Sequence, residues 1–186
     1  MFPAGDSRFS TSYHTLQLST GATTIRAIET GDVESDRVVL CVHGWACSVY
    51  SFRRLMPLLA RDGARVVAID LPGHGLSDKP DDARLYTLDA LSECVLAAMD
   101  SLGISGALLA GHSMGGPICA RTAVLAPDRV TGMALMAPAG FVTEWELRIL
   151  RAITRRVVAP LLPSLVRRGM IGLVFRMVDG RLYRPT

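Results

Sequence analysis

The sequence predicts an α/β fold, with a mostly parallel sheet flanked by helices, on the basis of three observations. Short runs of apolar and β-branched residues recur along the chain, each about the length of a buried strand. Segments with helical apolar spacing lie between these runs, and several runs end directly in glycine-containing motifs. Because strands alternate with helices, we expect parallel strands joined by right-handed crossovers.

Four strands are predicted in the first half of the chain. The first two, 13–18 and 23–29, are short, antiparallel and joined by a turn at 19–21. The other two, 37–42 and 66–69, are buried runs. Helical spacing extends over 49–61, but Pro57 lies within it. Because proline has no N–H and clashes with the preceding turn, the helix is expected to begin later or to have an irregular first turn.

The second half continues the alternation of helices and strands. An amphipathic helix ending at Gly103 is marked by the apolar stripe Leu88, Leu91, Val95, Ala98 and Leu102. A strand at 107–110, a helix with apolar positions from Ile118 to Ala126, and a buried strand at 130–136 follow it. These elements complete the predicted core, 1–142.

The segment Gly111-His112-Ser113-Met114-Gly115 is the most informative motif of the chain. It follows a buried strand and opens a helix, which is the context of a nucleophile elbow. Gly111 and Gly115 leave space around a serine on a strained turn. The helix that begins beside Ser113 also directs free N–H groups toward an anion formed there.

Two further motifs precede the elbow, and each ends a predicted buried strand. They are His43-Gly44-Trp45 and the loop from Asp70 to Ser77, which reads DLPGHGLS. With the elbow, they occur in the order and at the spacing of the α/β-hydrolase superfamily, which the chain resembles over residues 15–140.

The resemblance implies roles for the residues that match these motifs. Ser113 is expected to be the nucleophile, and the N–H groups of Trp45 and Met114 to form the oxyanion hole. The supporting positions are His43, Gly44, Gly111, His112 and Gly115. No cofactor and no metal ion are expected, since the sequence shows no metal-ligand spacing and no phosphate-binding loop.

The family's catalytic acid and histidine follow the serine, and here neither is found. All four histidines precede Ser113, and no acidic residue after it ends a predicted strand. The strand ending at Met136 is followed by Ala-Pro-Ala-Gly, so an early acid position is also empty. The sequence is therefore expected to be the N-terminal part of a longer enzyme, or else a catalytically incomplete chain.

The histidines, Asp70 and the Trp45 side chain are expected to have other roles. His74 is the best substitute base, whereas His43 is expected to hold the oxyanion loop through its ring hydrogen bonds. His112 is expected to be packed and hydrogen-bonded, and His14 to be structural. Asp70 precedes the serine, which favours a structural hydrogen-bonding role. The Trp45 side chain is expected to line the acyl pocket.

Residues 143–186 are predicted to be an incomplete helical cap. Thr143-Glu144-Trp145-Glu146 forms a capping box, and the segment carries nine arginines against three acidic residues. Without interleaved aromatic residues, these arginines are interpreted as a solvated helix face and not as a nucleic-acid site. The strand pattern ends at Met136, where the family that the chain resembles continues the sheet, so one sheet edge is expected to be uncovered and to allow self-association.

Composition limits the setting in which the protein works. The longest uncharged apolar stretch, from Val157 to Val166, contains two prolines and is too short to span a membrane. No signal peptide is predicted. The four cysteines, at 41, 47, 94 and 119, show no C-x-x-C spacing, which favours a reducing cytoplasm.

Three functions remain open at the level of sequence. The first is a serine hydrolase acting on a small-molecule carboxylic ester or related acyl substrate. The second, within enzymes, is a carbon–carbon bond hydrolase or a cofactor-free peroxidase, which share these motifs. The third is a catalytically incomplete hydrolase that acts as a binding module or has no activity.

Overall fold

The structure is a computed structural model, and it describes residues 13–21, 23–140 and Arg156. Contacts divide the chain into two units, Met1–Gly140 and Phe141–Thr186, and the description below concerns the first. The predicted helical cap at 143–186 lies outside the described residues, apart from Arg156. The predicted boundary at residue 142 therefore stays a prediction.

In the described part of the chain, six strands form a single sheet. They are β1 (His14–Ser19), β2 (Thr24–Gly31), β3 (Val38–Val42), β4 (Arg65–Ile69), β5 (Ala107–His112) and β6 (Val130–Met136). Their order across the sheet is β1-β2-β4-β3-β5-β6. The three pairings among β3, β4, β5 and β6 are parallel, and the two pairings of β2 are antiparallel. The mostly parallel sheet predicted from the sequence is confirmed.

Among residues 13–21 and 23–140, three α-helices and three short 3-10 turns connect the strands. The helices are α1 (Leu55–Arg61), α2 (Leu88–Ser101) and α3 (Gly115–Leu125), and the turns are Val49–Phe52, Ala83–Tyr86 and Pro127–Arg129. The single helix predicted over 49–61 is thus a 3-10 turn followed by α1. Pro57 lies in the first turn of α1, where an N–H has no partner within the helix in any case.

The hydrophobic core lies on both faces of the sheet. Alternate residues of β3 and β4 point to opposite faces, because successive side chains of a strand alternate. Leu40, Val42, Val67 and Ile69 belong to a cluster that includes α2 residues, whereas Cys41, Val66 and Ala68 pack with residues around α1. This two-sided burial explains why the parallel strands are continuous apolar runs.

The ends of α2 follow from its sequence. The Thr87 side chain accepts a hydrogen bond from the Ala90 N–H at its start, and Gly103 has a left-handed φ of 64° just after its end. The helix ends as predicted. No helix among the described residues is long and apolar enough to cross a membrane.

Candidate active site

Ser113 lies directly after β5, at the carboxyl edge of the parallel strands. It stands between β5 and α3 and has a left-handed φ of 51°. β5 is the strand between β3 and β6, so loops from both neighbours meet at this edge. Non-glycine residues rarely adopt such a backbone conformation, and strain of this kind concentrates at functional sites. The structure therefore has the strand, strained serine and helix that the motif predicted.

Close packing fixes the elbow against the loop after β3. A β-carbon added to Gly115 would lie 2.0 Å from the Val42 carbonyl oxygen, which no side chain can tolerate. A β-carbon on Gly44 would lie 2.9 Å from Ser113 Cβ. The glycines predicted as supporting positions thus permit the backbone of the His43-Gly44-Trp45 segment to lie against the serine.

The backbone N–H groups of Trp45 and Met114 are the predicted donors of the oxyanion hole. Within the described part of the chain, neither the Trp45 N–H nor the Met114 N–H donates a hydrogen bond to another residue. Met114 stands at the start of α3, where the helix dipole favours negative charge. An oxyanion hole requires free donors of this kind, and the assignment of these two groups to one stays a prediction.

His43 is fully buried and uses both ring nitrogens. Its Nε2 lies 3.1 Å from the Leu71 nitrogen, and its Nδ1 lies 2.8 Å from the Gly44 carbonyl oxygen. Since an amide can only donate, Nε2 accepts and the proton resides on Nδ1, which donates to Gly44. Burial lowers the pKa of His43 to about 4. The predicted role as a holder of the oxyanion loop, and not a base, agrees with these contacts.

Asp70 joins the two loops that follow β3 and β4. Its carboxylate is fully buried and accepts hydrogen bonds from the Val49 N–H at 2.8 Å and the Leu76 N–H at 2.9 Å. Arg26 Nε lies 2.9 Å from Asp70 Oδ2, but its N–H does not make a well-directed hydrogen bond, so the contact is an ion pair by distance. The structural role predicted for Asp70 is confirmed.

In the described part of the chain, the remaining histidines make no hydrogen bond to the serine hydroxyl. His74 packs against His43 with ring centroids 5.1 Å apart, and its Nδ1 lies 3.0 Å from the Pro72 carbonyl oxygen. His112 is packed, but its buried Nδ1 has no hydrogen-bond partner among the described residues, so the predicted bond is wrong for this atom. None of the described histidines hydrogen-bonds to Ser113, and the substitute role of His74 finds no support in these contacts.

The remaining sequence predictions concern Trp45, the cysteines, His14 and metal ligands. The Trp45 side chain is 76% exposed, so its predicted place in an acyl pocket stays a prediction. Cys41 and Cys119 are buried, and burial raises the pKa of each thiol to about 12, which removes them as nucleophiles. His14 lies on β1 with an exposed side chain. Among the described residues, no group of three or more histidine, cysteine or acidic residues could hold a metal ion.

Sequence reasoning missed the other strained positions of the site. In the described part of the chain, three non-glycine residues have a positive φ: Ala46, Ser113 and Ala137. Ala46 is in the loop after β3, and Ala137 directly follows β6, so both are at the edge that carries the serine. Alanine carries no sequence signal for this conformation, unlike glycine or asparagine.

Comparisons with known proteins agree with this geometry. A family model described as the alpha/beta hydrolase fold matches residues 37–155, which is more than half of the chain. The chain therefore belongs to the α/β-hydrolase family. It is 38% identical over 172 residues to the dihydrolipoyllysine-residue acetyltransferase component of the acetoin cleaving system of Pseudomonas putida, a match covering 86% of the chain.

Two solved structures are also similar. An epoxide hydrolase from an endophytic Streptomyces is 35% identical with a TM-score of 0.60, and the match covers 67% of this chain and 36% of that one. A 2-hydroxy-6-oxo-6-phenylhexa-2,4-dienoate hydrolase from Rhodococcus is 28% identical with a TM-score of 0.68. The match covers 79% of this chain and 55% of that one. The chain spans 45% of the length of the Pseudomonas protein, so it corresponds to part of its relatives.

Proposed function

We propose that this chain carries the nucleophile and the oxyanion hole of a serine hydrolase acting on a carboxylic ester or a related acyl substrate. The observation that carries this proposal is the pairing of a left-handed Ser113 with two free backbone donors, from Trp45 and Met114. Gly44 supports it, since its lack of a side chain lets the Trp45 segment lie against the serine. Membership of a hydrolase family supports the reaction type.

The proposed reaction proceeds in two steps. The Ser113 hydroxyl attacks the substrate carbonyl carbon and gives its proton to a base, and the carbonyl oxygen becomes an oxyanion bound by the two N–H groups. The bond to the leaving alcohol or thiol then breaks, and that group takes up the proton. Water releases the acyl group from Ser113 by the same sequence. Loss of one oxyanion donor typically raises such a barrier by about 2.7–4 kcal/mol.

None of the described histidines supplies the base for these steps. No described histidine hydrogen-bonds to the Ser113 hydroxyl, and both ring nitrogens of His43 are already occupied. A serine without a base is a poor nucleophile at neutral pH. We therefore expect weak activity from these described groups alone, at the level left when triad members are removed, about 10³–10⁴-fold over water.

The hydroxyl of Ser113 favours acyl chemistry over epoxide opening, although some relatives are named epoxide hydrolases. A carboxylate that opens an epoxide forms an ester, which water can hydrolyse. A serine hydroxyl would form an ether, which has no carbonyl for water to attack and would trap the enzyme. An epoxide also presents no carbonyl oxygen to the oxyanion donors.

A carbon–carbon bond hydrolase is the second candidate. It is favoured by the likeness to the Rhodococcus dienoate hydrolase, whose named substrate contains a ketone that a nucleophile or water can attack. A cofactor-free peroxidase and a catalytically incomplete binding module stay open as further alternatives. Substrates of different classes, offered to the same protein, distinguish the enzymatic candidates.

A reducing, cytoplasmic location belongs to this proposal. Its support is that Cys41, Cys47, Cys94 and Cys119 are all free thiols in the structure. The substrate is proposed to be a small acyl compound, with no cofactor.

A fluorophosphonate probe tests the proposal directly. We expect the purified chain to be labelled at Ser113, located by peptide mass spectrometry, and Ser113→Ala to lose that label. Adding imidazole as an external base should accelerate labelling in the wild type only. The same measurements on any longer product of the gene would show whether residues beyond Thr186 supply the base. Labelling at another residue, unaffected by Ser113→Ala, would remove Ser113 as the nucleophile.

A further inference from the structure

We propose that the segment after β6, Ala137–Ala139, is a clamp that holds the backbone of Ser113 in its left-handed conformation and so positions its hydroxyl. We call this segment the β6 clamp. The positioning part of the inference rests on the proposed function of Ser113. The clamp itself is a statement about backbone geometry and can be tested without any reaction.

Hydrogen bonds reach Ser113 from the last residue of the clamp and from the residue just before the clamp. The Ser113 N–H donates to the carbonyl of Met136, the residue just before the clamp, at 3.0 Å. The Ala139 N–H donates to the Ser113 carbonyl at 2.9 Å, and the Gly116 N–H donates to the same oxygen at 2.9 Å. The backbone donor and acceptor of the serine are thus both occupied, and α3 supplies only one of these three bonds.

Steric contact adds to the hydrogen bonds. A β-carbon added to Gly116, at the start of α3, would lie 2.4 Å from Pro138 Cβ and 3.0 Å from its Cα. The proline ring therefore lies directly against the helix that follows the nucleophile. Because proline restricts its own backbone, the clamp is stiffer at this contact than a clamp of ordinary residues.

The clamp is itself held in an unfavourable conformation. Ala137 has a φ of 44°, so the chain turns sharply as it leaves β6 and brings Ala139 back toward Ser113. A left-handed non-glycine residue persists only where its surroundings over-determine it. Ser113 and Ala137 are two such residues, and Ser113 is hydrogen-bonded to Met136 and Ala139, which lie on either side of Ala137 in the chain.

The β5–β6 pairing accounts for the Ser113 bond to Met136, which continues the ladder, but not for the Ala139 bond to Ser113. His112 and Met136 form the last paired residues of β5 and β6. The Ala139 bond to Ser113 lies beyond that pair and reaches the turn of the elbow itself. The clamp is therefore additional to the sheet, at the one residue whose conformation matters for nucleophilic attack.

Gly116→Ala provides the test, with Gly132→Ala as the matched control. The control makes the same substitution on β6, where an added β-carbon would meet Leu108 at an ordinary 3.7 Å. Amide hydrogen exchange measured by NMR reports the Ser113 and Ala139 bonds one by one. Fluorophosphonate labelling, normalised to the folded fraction, reports the position of the hydroxyl.

We expect Gly116→Ala to speed exchange at Ser113 and Ala139 about tenfold or more, because overpacking at a closed contact displaces the backbone. Exchange within α2 should not change, and Gly132→Ala should resemble the wild type. Labelling of Ser113 should slow in parallel. The double variant Gly116→Ala, Pro138→Gly should recover part of the slow exchange and part of the labelling rate, because the added methyl then meets only the Cα of residue 138.

A second variant keeps the test decisive if Gly116→Ala does not fold. Pro138→Gly removes atoms instead of adding them, and it should speed exchange at Ser113 by about two- to fivefold through loss of stiffness. Equal exchange at Ser113 in this variant and in Gly132→Ala would overturn the clamp. Fast exchange at Ser113 with an unchanged labelling rate would overturn the positioning part of the inference, because it would show that the hydroxyl is positioned by other contacts.

Failure of the proposed function gives a different result. In that case the wild type is not labelled at Ser113 at all, while Gly116→Ala still speeds exchange at Ser113 and Ala139. The clamp on the backbone would then be supported and the reaction assigned to Ser113 would not.

Discussion

The Leu71 N–H donates a hydrogen bond to Nε2 of His43 at 3.1 Å, and this contact sets the protonation state of the histidine. The acceptor nitrogen must be unprotonated, so the proton is on Nδ1 and is directed to the Gly44 carbonyl. A second proton could be added only by breaking the Leu71 bond inside a fully buried site. His43 therefore links the loops after β3 and β4 only while it is neutral.

Stability should fall in acid because of His43. Burial lowers the pKa of His43 from 6.5 to about 4, so between these values the unfolded chain binds a proton that the folded chain does not. This contribution to the free energy of unfolding is fully present above pH 6.5 and is lost as the pH falls toward 4. The slope approaches about 1.4 kcal/mol per pH unit, and the whole contribution is about 3 kcal/mol.

Urea unfolding of the wild type, His43→Gln and His14→Gln at a series of pH values measures this contribution. His14→Gln is the matched control, since its side chain is exposed on β1. We expect His43→Gln to flatten the pH dependence over this window and His14→Gln to flatten it much less. Equal slopes in the wild type and His43→Gln would contradict the assignment.

Asp70→Asn should strongly destabilise the fold. The substitution leaves the buried Arg26 charge without its partner and replaces one acceptor with an amide group facing an N–H. Breaking a buried pair in this way costs about 3–5 kcal/mol. Asp89→Asn is the control, because the Asp89 side chain is 60% exposed in its ion pair with Arg121, and such pairs contribute less than about 1 kcal/mol. Similar losses in the two variants, measured by urea unfolding, would refute the structural role of Asp70.

Ser113→Gly should be more stable than Ser113→Ala. Both variants remove the hydroxyl, but only glycine adopts a φ of 51° without a steric penalty. After allowing for the greater freedom of glycine in the unfolded chain, we expect a difference of about 0.5–1 kcal/mol in the free energy of unfolding. Chemical denaturation of the two proteins side by side measures it. An alanine variant as stable as the glycine variant would mean that the serine is not strained.

Self-association is expected at the β6 edge. Among the described residues β6 pairs with β5 alone, and Met133 and Leu135 are 46% and 38% exposed. An uncharged edge strand can pair with another chain, and a lysine on it opposes such pairing. Sedimentation velocity should therefore show concentration-dependent association that Met133→Lys reduces. Val124→Lys, on α3 at a position 69% exposed, is the control and should reduce it less. A monomer at all concentrations would contradict this prediction.

Much of the fold could be predicted because its signals are local. The apolar runs gave the buried strands to within one or two residues, since a strand buried on both faces must be continuously apolar. The elbow was predictable because its glycines are needed wherever a serine stands on a tight strand-to-helix turn. The division of 49–61 was less certain, because Pro57 is compatible with either a broken helix or a late start.

The sequence by itself determined the family resemblance, the order of the elements and the residue expected to be the nucleophile. The tertiary structure alone decided how that residue is held. Arg26 and Asp70 are far apart in the chain, as are Gly116 and Pro138, and nothing in their local sequence indicates that they meet. The same is true of the left-handed backbone at Ala46 and Ala137, because alanine has no preference for it. Local patterns encode secondary structure, whereas these contacts exist only once the sheet brings the ends of its strands together.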